Sequence, residues 1–152
     1  ESLDLLAHGD DPLDFENLFS VKKGAQSAKL GDLPGPMIII AGSGMCVGGR
    51  IMGHLKRGLP SHKTTVLFVG YQAPGTNGRR IQDAAKNPGS TVRIDGEDVE
   101  VRANVATLKG LSAHADRKEL RAWLGHIPNA KRVALHHGDV EAQGGFAAWM
   151  KT

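Results

Sequence analysis

A hydroxyl, an imidazole and a carboxylate lie within five residues of one another in the segment Ser112-Ala113-His114-Ala115-Asp116. A second polar segment, His136-His137-Gly138-Asp139, again places a carboxylate two residues after an imidazole. Imidazole ligates zinc and acts as a general acid near neutral pH, so such segments suit hydrolytic chemistry. We therefore predict that the two segments form parts of one hydrolytic site.

Each polar segment follows an apolar run typical of a strand and precedes a helical pattern. Residues 105–108 are the predicted strand before the first segment, and Asp116 is expected to cap a helix that ends near His126. Residues 131–135 and 140–150 give the second strand and helix. In open α/β sheets the carboxyl ends of the strands line the ligand crevice, which is where both histidines would then lie.

Two further strand, glycine-loop and helix patterns occur earlier in the chain. The first has a strand at 37–41 that is apolar enough to be buried on both faces, then a loop, then a helix at 46–58. The second has a buried strand at 64–69, a loop, and a helix at 79–86. Repetition of this pattern predicts parallel βαβ units. A hairpin is predicted to turn at Asp95-Gly96 between residues 91–94 and 99–103.

The first glycine loop, Gly42-Ser43-Gly44, has two open interpretations. Small residues before a helix let backbone N–H groups approach a phosphate. The same residues also suit a tight turn that binds nothing. Val47 stands where a dinucleotide site would have its third glycine, and no Gly-Lys-Ser/Thr follows, so NAD and P-loop sites are disfavoured.

The second glycine loop carries hydrogen-bonding groups and ends in arginine. Gln72, Thr76 and Asn77 are candidate donors. Arg79-Arg80 opens the following helix, and this combination fits a phosphodiester backbone. Arg79 is equally compatible with an ordinary surface charge. Tyr71 could stack on a base, although a half-buried core tyrosine is the commoner outcome.

Composition limits the class of protein. The chain has 152 residues, 40% of them hydrophobic, with 20 glycines and a single cysteine, which indicates an α/β protein in a reducing compartment. The cysteine, Cys46, is expected to be a packed thiol. No signal peptide or membrane span is recognised, so we expect a cytoplasmic location.

The net charge is +3, and residues 42–94 form a basic block that suggests a polyanionic partner or simply a solvated face. Its charged residues are Arg50, Lys56, Arg57, Lys63, Arg79, Arg80, Lys86 and Arg93 against Asp83 alone.

Four motifs in this order closely resemble the C-terminal half of the metallo-β-lactamase-fold β-CASP nucleases. The motifs are Ala41-Gly42-Ser43-Gly44-Met45-Cys46, Val69-Gly70-Tyr71-Gln72-Ala73 with Gly75-Thr76, Leu111-Ser112-Ala113-His114-Ala115-Asp116, and Leu135-His136-His137-Gly138-Asp139. The resemblance implies a parallel-sheet, Rossmann-like β-CASP portion in residues 1–105. It implies that residues 106–152 are the β/α segment that returns to the metallo-β-lactamase domain.

The resemblance also implies roles for particular residues. His114 matches the histidine that assists protonation of the leaving group, and His137 matches a late zinc ligand. Ser112, Ser43-Gly44 and Thr76 would contact RNA phosphates, and we add Arg79 to this set. The intact protein would use two zinc ions to hydrolyse RNA phosphodiester bonds.

Three departures from the family pattern accompany the resemblance. Asp139 stands where glutamate is usual, and Pro74 where an acidic residue is common. The His-x-His-x-Asp-His motif is absent, so we expect this fragment to have an incomplete zinc site and to cleave nothing alone. A non-catalytic RNA-binding module and a nucleotide-binding α/β domain are the alternatives. A homodimer is possible, and no membrane partner is expected.

Overall fold

The computed structural model describes residues 15–108, 110 and 114–151, and the chain divides into two compact units, Glu1–Leu111 and Ser112–Thr152. The first unit is mixed α/β and the described part of the second is helical. The elements of the first unit are α1 (Gly24–Lys29), a 3₁₀ turn (Leu30–Asp32), α2 (Ile51–Gly58), β1 (Thr65–Phe68), α3 (Asn77–Ala84), β2 (Thr91–Ile94), β3 (Glu97–Glu100) and β4 (Asn104–Thr107). Those of the second are α4 (Arg117–Gly125) and α5 (Val140–Met150).

Strands β1 and β4 form a parallel pair in which Thr65 lies opposite Asn104 and Phe68 opposite Thr107. Parallel strands need a long crossover connection, and here α3 and the β2–β3 hairpin supply it. The predicted parallel βαβ connection is therefore confirmed for the second repeat. Only one face of β1 packs into the core. Phe68 on that face is buried, whereas Leu67 on the opposite face is 54% exposed.

The β2–β3 hairpin turns at the predicted dipeptide. Asp95 and Gly96 have φ values of 48° and 84°, as a two-residue turn with left-handed residues requires. Val92 pairs with Val99, and both are buried together with Ile94 on one face of the hairpin. The alternation of buried and exposed residues fixes which face meets the core.

The core of the first unit lies where α2, α3 and the strands meet. Leu59, Ile81 and Ile94 are fully buried, and Leu59 also accepts backbone hydrogen bonds from Arg102 and Ala103. Cys46 is 3% exposed and burial raises the pKa of its thiol, which confirms the expectation of a packed cysteine. The other buried hydrophobic residues are Met52, Leu55, Phe68, Val92, Val99, Val101 and Ala103.

Two predicted strands are wrong. Residues 37–41 are not in a strand, and Ile38 and Ile40 are 92% and 91% exposed. Residues 131–135 are likewise irregular, with Val133 50% exposed. A preference for extended backbone makes a strand only where a neighbouring strand accepts its hydrogen bonds, and no described segment pairs with either run.

The predicted helices form, with shifts at their ends. The helix expected at 46–58 begins only at Ile51, because Cys46 and Gly49 have left-handed φ values of 55° and 79°. The helix expected at 79–86 begins two residues earlier, since Thr76 caps it. Among the described residues no helix is long and apolar enough to cross a bilayer.

Candidate functional site

The two glycine loops of the first unit are joined by the side chain of Gln72. Its amide nitrogen donates to the carbonyl of Gly44 at 2.9 Å and to that of Tyr71 at 3.1 Å. The backbone N–H of Gly78 adds a second link by donating to the carbonyl of Met45 at 3.2 Å. The structure therefore brings the Ser43-Gly44 loop against the start of α3, as a shared phosphate-binding surface would need.

Gln72 corrects one prediction, because it is not a donor that a ligand can reach. The side chain is 4% exposed, and its amide nitrogen is surrounded by main-chain carbonyls. Its hydrogen bonds instead hold the two loops together. Gly78 leaves space for the Gln72 side chain, since a Cβ at position 78 would lie 1.7 Å from Gln72 Oε1.

Ser43 and Thr76 use their hydroxyl groups to shape the loops. Ser43 Oγ accepts from the N–H of Val47 at 3.4 Å. Thr76 Oγ1 accepts from the N–H of Arg79 at 3.3 Å, which caps α3, and donates to the carbonyl of Ala73 at 2.7 Å. Both side chains are half-buried, so the surface around them is formed by polar main chain as well as by hydroxyl groups.

The basic block is largely paired with carboxylates. Asp83 lies 3.0 Å from Arg79 Nε and 2.6 Å from Lys86 Nζ, and hydrogen bonds from Lys86 and Arg79 lower the pKa of this carboxyl. The other pairs are Lys56–Glu97, Arg57–Asp32 and Arg93–Asp98. Charge along the sequence thus overstates the positive field of this unit.

Tyr71, expected as a half-buried core residue, is 59% exposed, so that expectation is wrong.

His114 lies at an exposed bend two residues before the cap of α4 in the second unit. Asp116 Oδ1 accepts from the N–H groups of Lys118 and Glu119 at 2.7 and 2.9 Å, and these bonds lower the pKa of Asp116. Glu119 accepts in return from the N–H of Asp116 at 2.7 Å, completing a capping box. The carboxylate after His114 therefore starts the helix. Ser112, the third member of this segment, lies outside the described residues.

His137 lies on the exposed turn before α5 and has a left-handed φ of 63°. Its ring stacks beside that of His136 with centroids 6.2 Å apart. Gln143 closes the turn by donating to the carbonyls of Gly138 and, through its N–H, Asp139. The structure thus presents both candidate histidines on loops that lead directly into helices.

The zinc expectation can be tested against the donor groups of the described residues. In that part of the chain no three His, Cys, Asp or Glu side chains are grouped so as to hold a metal ion. A catalytic zinc needs three protein ligands and an open position, so His137 cannot form such a site with these residues. The described residues therefore do not complete a zinc centre by themselves.

Two polar arrangements had no signal in the sequence. Ser27, which is 6% exposed, shares a 2.8 Å hydrogen bond with His54 Nε2 across α1 and α2. In the second unit, Arg117 and Arg121 both lie over the ring of Trp149. Each joins residues that are 27 or more positions apart, which no local pattern indicates.

Comparison with known proteins gives two family matches. Residues 1–81, more than half of the chain, match the model described as the Beta-Casp domain. Residues 98–152 match the model described as the Zn-dependent metallo-hydrolase RNA specificity domain. The second match contains His114 and His137, and the first contains the Ser43-Gly44 and Thr76 loops.

Individual relatives agree with these matches. The chain is 45% identical over 133 residues to "Ribonuclease TTHA0252" of Thermus thermophilus, covering 88% of this chain and 29% of the relative. It is 34% identical over 133 residues to "Transcription termination factor FttA" of Methanocaldococcus jannaschii, covering 86% and 21%. The FttA protein of Thermococcus kodakarensis is 39% identical over 110 residues, covering 68% and 16%. The chain thus spans less than a third of the length of these relatives, and its matches show that it belongs to the β-CASP metallo-β-lactamase family of RNA-processing nucleases.

Proposed function

We propose that this chain is part of a metal-dependent ribonuclease that hydrolyses RNA phosphodiester bonds. One observation carries the proposal. The segment that matches the Zn-dependent metallo-hydrolase RNA specificity domain presents His114 and His137 on exposed loops before α4 and α5. The relative named as a ribonuclease, 45% identical to this chain, supports the same activity.

Within this proposal the first unit binds the RNA backbone. Ser43, Gly44 and Thr76 lie on the two loops that Gln72 joins, and Arg79 lies in the first turn of α3. Ser112, a residue of the second unit, belongs to the same set by resemblance. Main-chain N–H groups and hydroxyl groups suit phosphate oxygens. Arg79 can exchange its exposed partner Asp83 for a phosphate at small cost, because such exposed pairs contribute little stability.

His114 is proposed as the group that protonates the leaving oxygen, and His137 as a zinc ligand. Zinc, when bound in the intact protein, would activate water for attack on phosphorus. Its remaining ligands would come from other segments of a longer protein, because the described residues do not supply three. We also propose that residues 1–105 are β-CASP and that 106–152 belong to the metallo-β-lactamase portion.

The role of His114 can be tested by changing the leaving group. In the intact protein that contains this chain, His114→Ala should slow RNA cleavage by about 10²–10⁴-fold, the usual contribution of a general acid. Cleavage of a p-nitrophenyl phosphodiester should slow far less, since p-nitrophenolate leaves without a proton. Equal loss on both substrates would exclude proton donation by His114.

The role of His137 can be tested by metal analysis of the same protein. His137→Ala should reduce bound zinc measured by mass spectrometry, whereas His126→Ala should not, because the His126 ring is hydrogen-bonded to the carbonyl of Ala122. Unchanged zinc content in His137→Ala would contradict the assignment. Robust metal-dependent cleavage by the 152 residues alone would refute the proposal that this chain is an inactive part.

Transcription termination is a second candidate function, because two of the relatives described above are named as termination factors. A reconstituted transcription assay separates the two functions. Release of transcripts by the intact protein carrying His114→Ala would favour termination independent of cleavage, and loss of both activities would favour the ribonuclease.

A further inference from the structure

Helices α4 and α5 meet at a stack of two guanidinium groups on one indole. Arg117 Cζ lies 5.2 Å and Arg121 Cζ 4.9 Å from the centroid of the Trp149 ring. The two arginines are four residues apart, so they lie on the same face of α4. A cation within about 6 Å of an indole face is attracted to it. Trp149 therefore contacts two planar cationic groups.

Neither arginine forms a salt bridge among the residues that the structure describes, unlike Arg57, Arg79 and Arg93. The charge of Arg117 acts on the adjacent Asp116, whose pKa it helps to lower. The two acidic residues at the start of α4 hydrogen-bond to the backbone. Asp116 accepts from two backbone N–H groups and Glu119 accepts from a third. Arg117 and Arg121 are both exposed, so their N–H edges are available to a ligand from solution.

The chemistry of this arrangement matches single-stranded nucleic acid. A guanidinium presents paired N–H donors that match two oxygens of one phosphate. Its flat face also stacks on unpaired bases, a common way of binding single-stranded RNA. Because contact with the indole restricts each guanidinium group before RNA binds, less conformational entropy is lost on binding than for a freely moving arginine.

We propose that Arg117, Arg121 and Trp149 form an additional RNA-binding surface on the second unit. The identity of the ligand as RNA rests on the proposed function and on the match of residues 98–152 to an RNA specificity domain. None of these three residues belongs to the set proposed above for RNA contact, proton transfer or zinc binding. The surface gives the RNA two phosphate contacts that do not depend on the reacting group.

The test measures how RNA affinity depends on salt. The intact protein carrying Arg117→Gln and Arg121→Gln is titrated into a fluorescein-labelled, 2′-O-methylated single-stranded 20-mer with EDTA present, from 50 to 400 mM KCl. Each lost phosphate contact should reduce the slope of log K against log[KCl] by about 0.7, giving about 1.4 in total. If the plots for the wild type and the double variant meet near 1 M KCl, the variant should bind RNA about 25-fold more weakly than the wild type at 0.1 M KCl.

Two controls separate the surface from general charge and from folding. Arg93→Gln with Arg132→Gln removes the same charge from other exposed positions and should change the slope by less than about 0.3. Arg117→Met with Arg121→Met keeps unbranched side chains against Trp149 and should lower the slope as the glutamine pair does. Circular dichroism verifies that each variant is folded.

The outcomes are distinct. An unchanged slope in either folded double variant, or an equal change in the Arg93/Arg132 control, overturns the proposal. Displacement of the RNA by polyglutamate, abolished by the same substitutions, would instead assign the surface to an acidic protein. Failure of the wild type to cleave any RNA, together with the expected slope change, would refute the proposed ribonuclease and leave this surface standing.

Discussion

Replacing Gly78 with alanine would place a methyl group where the side chain of Gln72 lies. The new Cβ would be 1.7 Å from Gln72 Oε1 and 2.7 Å from Gln72 Cδ, distances that no relaxed structure allows. The amide would have to leave its position. Its hydrogen bonds to the carbonyls of Gly44 and Tyr71 would then break, which weakens the link between the two glycine loops.

The magnitude follows from three contributions. Alanine stabilises a helix by about 1 kcal/mol relative to glycine at the same position. Loss of the two shorter hydrogen bonds of the amide costs about 2 kcal/mol in total. Overpacking of the buried site adds about 1–3 kcal/mol. The free energy of unfolding should therefore fall by about 2–4 kcal/mol.

The assay is urea denaturation followed by circular dichroism at 222 nm, with two companion variants. Gln72→Ala removes the obstructing amide, so adding Gly78→Ala to it should cost about 1 kcal/mol or less. Gly53→Ala is the matched control, since a Cβ there meets no atom within 4 Å in the middle of α2, and it should stabilise by up to about 1 kcal/mol. The reasoning is refuted if Gly78→Ala changes stability by less than about 0.5 kcal/mol, or costs the same with and without Gln72.

Three further predictions concern burial, capping and pH. Ile81→Ala should destabilise the chain by about 2–5 kcal/mol because Ile81 is fully buried, whereas Ile38→Ala at a 92% exposed residue should stay within about 0.5 kcal/mol in the same urea assay; equal effects would contradict the described core. Thr76→Ala should lose about 1 kcal/mol by removing the cap of α3, and Thr76→Ser should restore it; a serine variant as unstable as the alanine one would exclude the hydroxyl as the cause. Asp116 has a folded-state pKa below its usual value of 3.8, so its stabilising effect is present above about pH 4 and is lost as the pH falls through the lower, folded-state pKa. Thermal melts of wild type and Asp116→Ala should therefore differ at pH 7 and converge under more acidic conditions, and a difference that persists at pH 2 would show that the carboxylate charge is not responsible.

Features that depend on near neighbours were predicted from the sequence. Asp116 caps α4 through N–H groups two and three residues away, and Asp95-Gly96 turns the hairpin through its own backbone angles. The order of the four polar motifs likewise indicated the family, because such motifs are contiguous in the chain. The placement of Thr76 at the start of α3 followed from the same kind of local pattern, whereas the helix expected soon after Ser43 begins only at Ile51.

Features that depend on distant partners were decided only by the tertiary structure. Residues 37–41 have the composition of a buried strand, but no described segment pairs with them and Ile38 and Ile40 face solvent. Gln72 has the composition of a ligand donor, but packing against Gly78 and the Gly44 carbonyl encloses it. Side-chain type and spacing specify what a residue can bind. Only the folded chain determines whether its hydrogen-bonding groups are already paired with a residue far away in sequence, as Gln72 is with Gly44, 28 residues away.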